Sequence, residues 1–144
     1  MTLDGLITSK FQTVYGRQTF KCPYYLTVSA STPPTLFVSD YTADTVLQLS
    51  LDGKALQEYS DNKLKYPKSV VAVGPGQLLV CGNGSHNMVL LTERDGKMVE
   101  ILGHKDGLSK PYSVSFCSDT RTIVVGMYTI DSLKVIFSIN LISG

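Results

Sequence analysis

The sequence predicts an all-β chain made of repeated antiparallel sheets, and three sets of recurring residues carry this prediction. In the first set a proline opens a short apolar run, and successive prolines are 44 residues apart. These prolines are Pro23, Pro67 and Pro111. The second set reads LFVSD, LLVCG and TIVVG, and its central valines, at intervals of 42 and 44, are Val38, Val80 and Val124. The third set reads TVLQLSLDG, MVLLTERDG and LKVIFSIN. A period of about 44 residues indicates a repeat architecture.

Each period reads as four short strands separated by turns. In the second period, β-branched and aliphatic runs alternate with stretches that contain Gly, Pro and Asn. The predicted strands are residues 69–73, 77–81, 88–92 and 97–102. The stretch GPGQ supplies the first turn. Asp95-Gly96 predicts a two-residue hairpin of type I′, because that turn needs positive φ. The apolar spacing typical of an amphipathic helix is missing from the sequence.

Four short antiparallel strands in every 40 to 50 residues or so are typical of a β-propeller blade. A β-sandwich is the alternative, but a sandwich has no need for one period across three sets of residues. We predict complete blades at 21–65 and 66–109, and a last blade at 110–144 that lacks its outer strand. Residues 1–20 are predicted to be the outer strand of a preceding blade and its connector, because LDGLITSKF aligns with LDGKALQEYS. The total is about three blade equivalents.

Stacked blades cover both faces of each sheet, so the apolar residues of the second strands should be buried between blades. These residues are Leu36, Val38, Leu79, Val80, Ile123, Val124 and Val125. An arc of three blades also leaves one sheet face open at each end, and these faces should pack against the remaining blades. An isolated arc is therefore expected to self-associate.

The period resembles the NHL repeat. A proline opens the first strand, an aliphatic run ends in a small or acidic residue, and a later strand closes on Asp-Gly-Lys. Ser39-Asp40 matches the acidic position, and Ser85-His86-Asn87 resembles the Asn-His-Arg that names the repeat. VSDYTADTVLQLSLDG, YPKSV, SHNMVLLTERDGK and KPYSVSF are similar to the C-terminal propellers of invertebrate TRIM-NHL (tripartite motif) proteins. The departures are Gly82 and Gly126 at the acidic position and Asn87 at the arginine position.

This resemblance implies a six-bladed propeller, of which the chain is the C-terminal half or a truncated form. It also implies that the chain is the substrate- or RNA-recognition end of a TRIM-type E3 ubiquitin ligase. The RING that performs ligase chemistry in that family has no counterpart here, because no zinc-binding Cys/His pattern occurs in the sequence.

Composition excludes several classes of function. The formal net charge of +1 gives no whole-molecule attraction to nucleic acid or to an anionic membrane. No apolar run approaches the roughly 18 residues that span a bilayer, and the start lacks the pattern of a secretory signal. Three widely spaced cysteines, Cys22, Cys81 and Cys117, favour reduced thiols in a cytoplasmic protein. We expect neither a cofactor nor a metal.

One rim of the propeller is the candidate binding surface, because basic residues and tyrosines interleave on the connectors between blades. The candidate residues are Arg17, Lys21, Tyr24, Lys63, Lys65, Tyr66, Lys68, Lys105, Lys110 and Tyr112. Tyr41, Asn83, His86, Asn87 and Tyr128 add to this rim from the loops between second and third strands. Lysines that meet phosphates and rings that stack on bases suit single-stranded RNA. A protein partner and a purely structural scaffold remain alternatives.

Catalysis is not expected. Six-bladed propeller hydrolases and lactonases place acids around the central channel, but the predicted innermost strands, 24–29, 68–73 and 112–117, contain no carboxylate. Glu58, Glu93 and Glu100 fall on outer strands or hairpins. His86 and His104 lie in loops without a nucleophile motif. A fragment of a propeller hydrolase is the alternative.

Overall fold

The computed structural model describes Gly5, residues 20–29 and residues 31–127, together with the backbone of residues 13–14, 17–18 and 137–138. Near the start, β1 (Thr13–Val14) pairs antiparallel with β2 (Arg17–Gln18). The prediction that LDGLITSKF forms the outer strand of an earlier blade falls almost entirely outside the described residues.

Three antiparallel sheets follow one another along the chain, and each is called a blade here. The first blade contains β3 (Pro23–Val28), β4 (Thr35–Asp40), β5 (Thr45–Ser50) and β6 (Ala55–Tyr59). The second contains β7 (Pro67–Gly74), β8 (Gln77–Gly82), β9 (Asn87–Thr92) and β10 (Met98–Leu102). The third contains β11 (Pro111–Cys117), β12 (Thr122–Met127) and β13 (Phe137–Ser138). Within each blade the strands pair in chain order. A 3₁₀ helix, His104–Asp106, is the one helix in the described part of the chain.

The predicted prolines occupy equivalent positions, because each is the first residue of the first strand of its blade. The strands β3 and β11 both contact β7, so the first strands of the three blades are neighbours. The second blade therefore lies between the other two, with a sheet packed on each of its faces.

The core consists mainly of two clusters, one on each face of the second blade. Leu78 and Val80 belong to the cluster shared with the first blade, whereas Leu79 and Cys81 belong to the cluster shared with the third. These four consecutive residues of β8 are at most 2% exposed. Successive side chains of a strand point to opposite faces, which explains why an uninterrupted apolar run is needed where both faces are covered.

The predicted burial of the second strands is confirmed for Val38, Leu79, Val80, Ile123 and Val125. It is wrong in degree for Leu36 and Val124, which are half-buried. Val124 is paired with the exposed Ser115, on the face of the third blade that points away from the second. Leu36 lies opposite Val28, which is 52% exposed on the corresponding outer face of the first blade.

Strand pairing also corrects the alignment of the third repeat. Val38 lies opposite Leu26, Val80 opposite Val70, and in the third blade it is Val125 that lies opposite Val114. Each of these partners follows its proline by three residues. The equivalent of Val38 and Val80 is therefore Val125, one residue beyond the predicted Val124. Asp40 occupies the acidic position of the first blade. Its equivalent in the third blade is Met127 rather than Gly126, because Asp40 and Met127 each pair with the proline of their own blade.

The hairpin at Asp95-Gly96 forms where it was predicted, but its loop is longer. The amide of Thr92 donates to the carbonyl of Lys97, which leaves the four residues 93–96 in the loop. Gly96 has a φ of 71°, and Asp95 is not among the residues with positive φ. A type I′ turn needs positive φ at both central residues, so the expected turn type is wrong.

Two equivalent hydrogen bonds, each from a backbone amide to a side-chain acceptor, connect successive blades. The amide of Tyr66 donates to Asp44 Oδ1 at 2.7 Å, and the amide of Lys110 donates to His86 Nδ1 at 3.1 Å. All four residues have a left-handed backbone, with φ between 46° and 57°. Asp and His adopt this conformation more readily than most residues, which suits them to the two acceptor positions.

The residue at the acidic position of the first blade, Asp40, and the residue at the arginine position of the second, Asn87, form hydrogen bonds with the connectors. Asp40 is 1% exposed and accepts from the amides of Lys21 and Cys22, both at 2.8 Å. Asn87 is 2% exposed, and its Nδ2 donates to the carbonyl of Lys63 at 2.7 Å. Asn87 therefore attaches the second blade to the preceding connector without an arginine.

Candidate recognition site

Each of the three blades has a bulge at the start of its first strand. The pairing of β3 with β4 shifts between Pro23 and Tyr25, that of β7 with β8 between Pro67 and Val70, and that of β11 with β12 between Pro111 and Ser113. The residues that follow the prolines are Tyr24, Lys68 and Tyr112. A bulge redirects a side chain and is frequent beside functional sites. The three blades therefore present an irregular residue at the same place.

These three residues meet. Lys68 Nζ lies 3.9 Å from the ring centroid of Tyr112 and 4.9 Å from that of Tyr24. The hydroxyls of Tyr24 and Tyr112 are 2.7 Å apart and hydrogen-bonded. An ammonium within about 6 Å of a ring centroid is attracted by the ring's quadrupole. One side chain from each blade thus contributes to a single aromatic and cationic cluster.

Further tyrosines extend this group, called here the tyrosine–lysine cluster: Tyr24, Tyr25, Tyr41, Tyr66, Lys68 and Tyr112. The ring centroid of Tyr41 lies 5.6 Å from Tyr24 and 5.0 Å from Tyr66, on which it stacks at 30°. Tyr25 contacts Tyr112 edge-on at 6.3 Å. Tyr24 is 40% exposed and Tyr66 46% exposed. The cluster therefore forms a row of rings that solvent, and hence a ligand, can reach.

Gly84 allows the outer ring of this row to lie where it does. A Cβ added at Gly84 would approach Tyr66 Cδ2 to 2.3 Å, which no real side chain tolerates. The loop that carries Gly84 is held against the connector, because the amides of Asn83 and Gly84 donate to the carbonyls of Tyr66 and Lys65. The backbone of the second blade at Gly84 thus lies directly against the Tyr66 ring.

Two phenols of the cluster, those of Tyr25 and Tyr112, have a raised pKa. The hydrogen bond with Tyr24 raises the pKa of Tyr112, although the charge of Lys68 opposes this. Partial burial, followed by the interaction with Tyr112, raises the pKa of Tyr25. Lys68 is the basic residue of this cluster, which contains no carboxylate.

The other predicted basic residues surround the cluster less closely. Lys63 lies 3.8 Å from Asp61, and Lys65 lies 3.7 Å from Asp44, so each charge is partly compensated. Lys21, Lys105 and Lys110 are exposed and form no ion pair with the residues that the structure describes. The side chain of Arg17 lies outside the described residues, as does Tyr128. Of the ten predicted residues, Tyr24, Tyr66, Lys68 and Tyr112 are brought together.

Sequence reasoning did not single out Tyr25, and it placed Tyr41 on the rim as a residue of the loop between the second and third strands. Tyr25 directly follows a bulge, and a regular strand alternation would have placed it on the opposite face from Tyr24. The two rings instead lie 5.1 Å apart. A tyrosine pair immediately after a repeat-initiating proline is the sequence signal that could have indicated this.

Two further observations concern metals and membranes. Within the described residues, no group of three or more His, Cys, Asp or Glu side chains is arranged to hold a metal ion. None of the described segments forms a helix that is long and apolar enough to cross a membrane.

No protein-family model matches the sequence, and no curated protein sequence matches it significantly. Solved structures do match. Hydrazine synthase from Kuenenia stuttgartiensis superposes with a TM-score of 0.61 at 20% identity, over 83% of this chain and 33% of that chain. Virginiamycin B lyase from Staphylococcus aureus gives a TM-score of 0.60 at 19% identity, over 72% of this chain and 33% of that chain. This chain folds as part of a β-propeller.

A functionally unknown protein from Desulfotomaculum acetoxidans matches with a TM-score of 0.59 at 13% identity, over 77% of this chain and 37% of that chain. The chain thus spans about a third of the length of the solved structures that it matches. At these identities the similarity shows the fold alone. The prediction of an all-β partial propeller with four-stranded antiparallel blades is confirmed.

Proposed function

We propose that this chain is a non-catalytic recognition module of the NHL type that binds single-stranded RNA across the tyrosine–lysine cluster. The observation that supports it is the convergence of three bulge residues, one from each blade, on an exposed row of rings around one ammonium group. The resemblance to TRIM-NHL propellers extends the proposal to the recognition end of a ubiquitin ligase.

Stacking would supply most of the affinity. Each aromatic ring that stacks on a base contributes about 1–3 kcal/mol, and every base has a face to offer. Tyr24 and Tyr66 present the most exposed rings. Lys68 lies among the rings, while the exposed Lys21, Lys105 and Lys110 are available to phosphates nearby.

The proposal that the chain is not an enzyme has its own support. The first strands of the three blades, which carry the cluster, contain no Asp or Glu within their observed bounds. A cluster of five tyrosines and one lysine lacks the carboxylate that propeller hydrolases use. The lyase and synthase activities named for the similar structures belong to those proteins.

The test is a titration with fluorescent single-stranded RNA at two salt concentrations. Replacing Lys63, Lys65 and Lys68 with glutamate should weaken binding and flatten its salt dependence, because fewer counterions are released. A control for added negative charge replaces two lysines, Lys54 and Lys97, with glutamate. Both follow Asp-Gly in outer hairpins, away from the cluster. Equal losses in the two variants would reveal a general charge effect and remove RNA from this rim.

Tyr66→Ala tests the stacking separately. It should cost about 1–3 kcal/mol of RNA affinity without changing the salt dependence. RNA affinity that is unaffected by both Tyr66→Ala and the triple glutamate substitution contradicts the proposal.

A protein partner is the second candidate, and the ion pairs favour it. Asp61 and Asp44 partly neutralise Lys63 and Lys65, which lowers the attraction of this rim for phosphates. Tyrosines are enriched at the centres of protein interfaces, where a large ring is buried and a hydroxyl is hydrogen-bonded. A partner lost with Tyr24→Ala and Tyr66→Ala, in a chain that does not bind RNA, would identify this function.

A further inference from the structure

The ammonium group of Lys68 lies over the ring faces at the centre of the tyrosine–lysine cluster. Its Nζ is 3.9 Å from the ring centroid of Tyr112, 4.9 Å from that of Tyr24 and 5.3 Å from that of Tyr41. The rings differ in orientation, since the Tyr24 plane makes an angle of 79° with Tyr112 and of 34° with Tyr41. All three distances are within the range of about 6 Å in which a ring attracts a cation. One ammonium group thus covers a face of three rings.

The charge of Lys68 is not compensated by an anion. Within the described residues, Lys68 forms no ion pair, and its Nζ donates to no protein oxygen. Lys63 and Lys65 differ in this respect, because each lies within 4 Å of a carboxylate. A ring face attracts a cation but supplies no lone pair to its N–H groups. A phosphate can therefore compete with the rings for this ammonium group.

The backbone of Lys68 and the rings around it are fixed, whereas the Lys68 side chain is flexible. The carbonyl of Lys68 accepts from Ser39 Oγ at 2.5 Å, and the next residue, Ser69, is buried. The hydroxyls of Tyr24 and Tyr112 are hydrogen-bonded to each other at 2.7 Å. A lysine carries its charge on a stem of four carbons with free rotation. Rotation of this stem can move the ammonium group off the rings while the rings keep their positions.

We propose that Lys68 is an internal occupant of the stacking site and that a base replaces its ammonium group when RNA binds. This inference rests on the proposed function, in which the rings of the cluster stack on bases. A ring face covered by an ammonium group has no room for a base. The ammonium group moves to a phosphate of the bound strand, and the base takes the ring face that it leaves. Both new contacts are those by which proteins hold single strands.

Lys68 then has two opposite effects on RNA affinity, and they depend differently on salt. One phosphate contact to a single strand contributes a salt slope of about 0.7, which amounts to roughly eightfold in affinity at about 50 mM salt and to nothing at about 1 M. Leaving the rings costs about two- to fivefold, the value of an exposed contact between a ring and an ammonium group. Lys68 should therefore favour RNA binding at low salt and oppose it at high salt.

The experiment compares the full chain with its Lys68→Ala variant by titration with fluorescent single-stranded RNA, from about 50 mM to about 1 M salt. At the lowest salt the variant should bind about two- to fourfold more weakly, and at the highest about two- to fivefold more tightly. The two affinity curves should thus cross. Lys21→Ala is the control, because Lys21 is exposed on the same rim and contacts no ring among the described residues. It should weaken binding at low salt and leave it unchanged at high salt.

The outcomes separate this inference from the proposed function. A Lys68→Ala variant that never binds more tightly than the wild type would show that the ammonium group does not block stacking, and would overturn the inference. A variant that binds more tightly at every salt concentration would overturn it as well, because Lys68 would then not pass to a phosphate. In both cases the chain still binds RNA, so the proposed function stands. Absence of RNA binding by the wild type overturns both. Far-UV circular dichroism establishes that the variants fold.

Nuclear magnetic resonance follows the movement itself. Protons above the face of an aromatic ring are shifted upfield, so the ε-methylene signal of Lys68 should lie upfield in the free chain. Tyr112→Leu should reduce this shift, since Tyr112 is the nearest ring. Saturation with RNA should return the signal towards the position of an ordinary lysine. A signal that stays upfield at saturation would overturn the exchange even if the affinity curves cross.

Discussion

The junction between the first and second blades and the junction between the second and third blades share a backbone design but differ in chemistry. In the first junction a carboxylate, Asp44, accepts from the amide of Tyr66 and also lies 3.7 Å from Lys65. In the second, an imidazole, His86, accepts from the amide of Lys110, and its ring contacts His104 at 5.7 Å. The repeat therefore preserves a conformation and an acceptor rather than a residue.

The comparison of Asp44 with His86 shows that the backbone conformation at the acceptor position is constrained more strictly than the residue type. A left-handed backbone at the acceptor position restricts the choice to a few residue types, among which Asp, Asn and His are frequent. Within that set any side chain with a correctly placed acceptor atom connects the blades. A sequence comparison that seeks identical residues therefore overlooks the correspondence between Asp44 and His86.

The largest expected loss of stability comes from truncating the apolar side chains that are packed in the two junctions. Leu78 packs in the first junction and Leu79 in the second, and they are 2% and 0% exposed. Leu78→Ala and Leu79→Ala should each lower the free energy of unfolding by about 2–5 kcal/mol, because each leaves a cavity in a closely packed cluster. Urea denaturation measures both. A loss near zero for either variant would show that its junction is not packed as a blade interface.

The hydrogen bonds between the blades should contribute less. Asp44→Ala and His86→Ala should each cost about 0.5–2 kcal/mol, because these bonds are solvent-exposed. His86→Asp is the matched substitution, since it places the acceptor of the first junction in the second. It should retain most of the stability that His86→Ala loses. If His86→Asp is as unstable as His86→Ala, the two junctions are not equivalent.

Thiol reactivity distinguishes the second junction from the outer face of the third blade. Burial raises the pKa of the Cys81 thiol to about 12, whereas hydrogen bonding to Thr120 lowers the pKa of the exposed Cys117. A thiol reagent at neutral pH should modify Cys117 first and leave Cys81 unmodified in the folded chain, because the thiolate is the reactive form. Cys117→Ser should remove the fast phase. Fast modification of Cys81 would mean that the second junction opens.

The smallest expected effect concerns the Tyr24–Tyr112 hydrogen bond, which joins the first and third blades directly. Tyr24→Phe should lower the pKa of Tyr112, since this bond is the main cause of its elevation. The folded state favours the neutral phenol of Tyr112. Its contribution to the free energy of unfolding is therefore present below the ordinary tyrosine pKa and is lost as the pH rises through the pKa in the folded state. Ultraviolet titration measures the shift, and Tyr66→Phe, which keeps the bond, is the control. An unchanged titration would place the two hydroxyls apart in solution.

The sequence by itself determined the repeat, the strands and much of the core. Three prolines at one spacing locate the first strands, and the period of two along a strand explains why Leu79 and Val80 are buried on opposite faces. These features are local or periodic, so they can be read without coordinates. The spacing also places Tyr24, Lys68 and Tyr112 at one position of the repeat, 44 residues apart.

Only the tertiary structure decided what this spacing produces. The three side chains meet because bulges redirect them and because the blades fan around neighbouring first strands, and both depend on pairing between distant residues. The register of β12, which places Val125 rather than Val124 beside the core, likewise follows from pairing with β11. Arg94 of the second blade and Arg121 of the third blade line a common pocket, although they occupy different positions of the repeat and no periodicity links them. They line one pocket only because adjacent blades stack, which is a property of packing and not of sequence spacing.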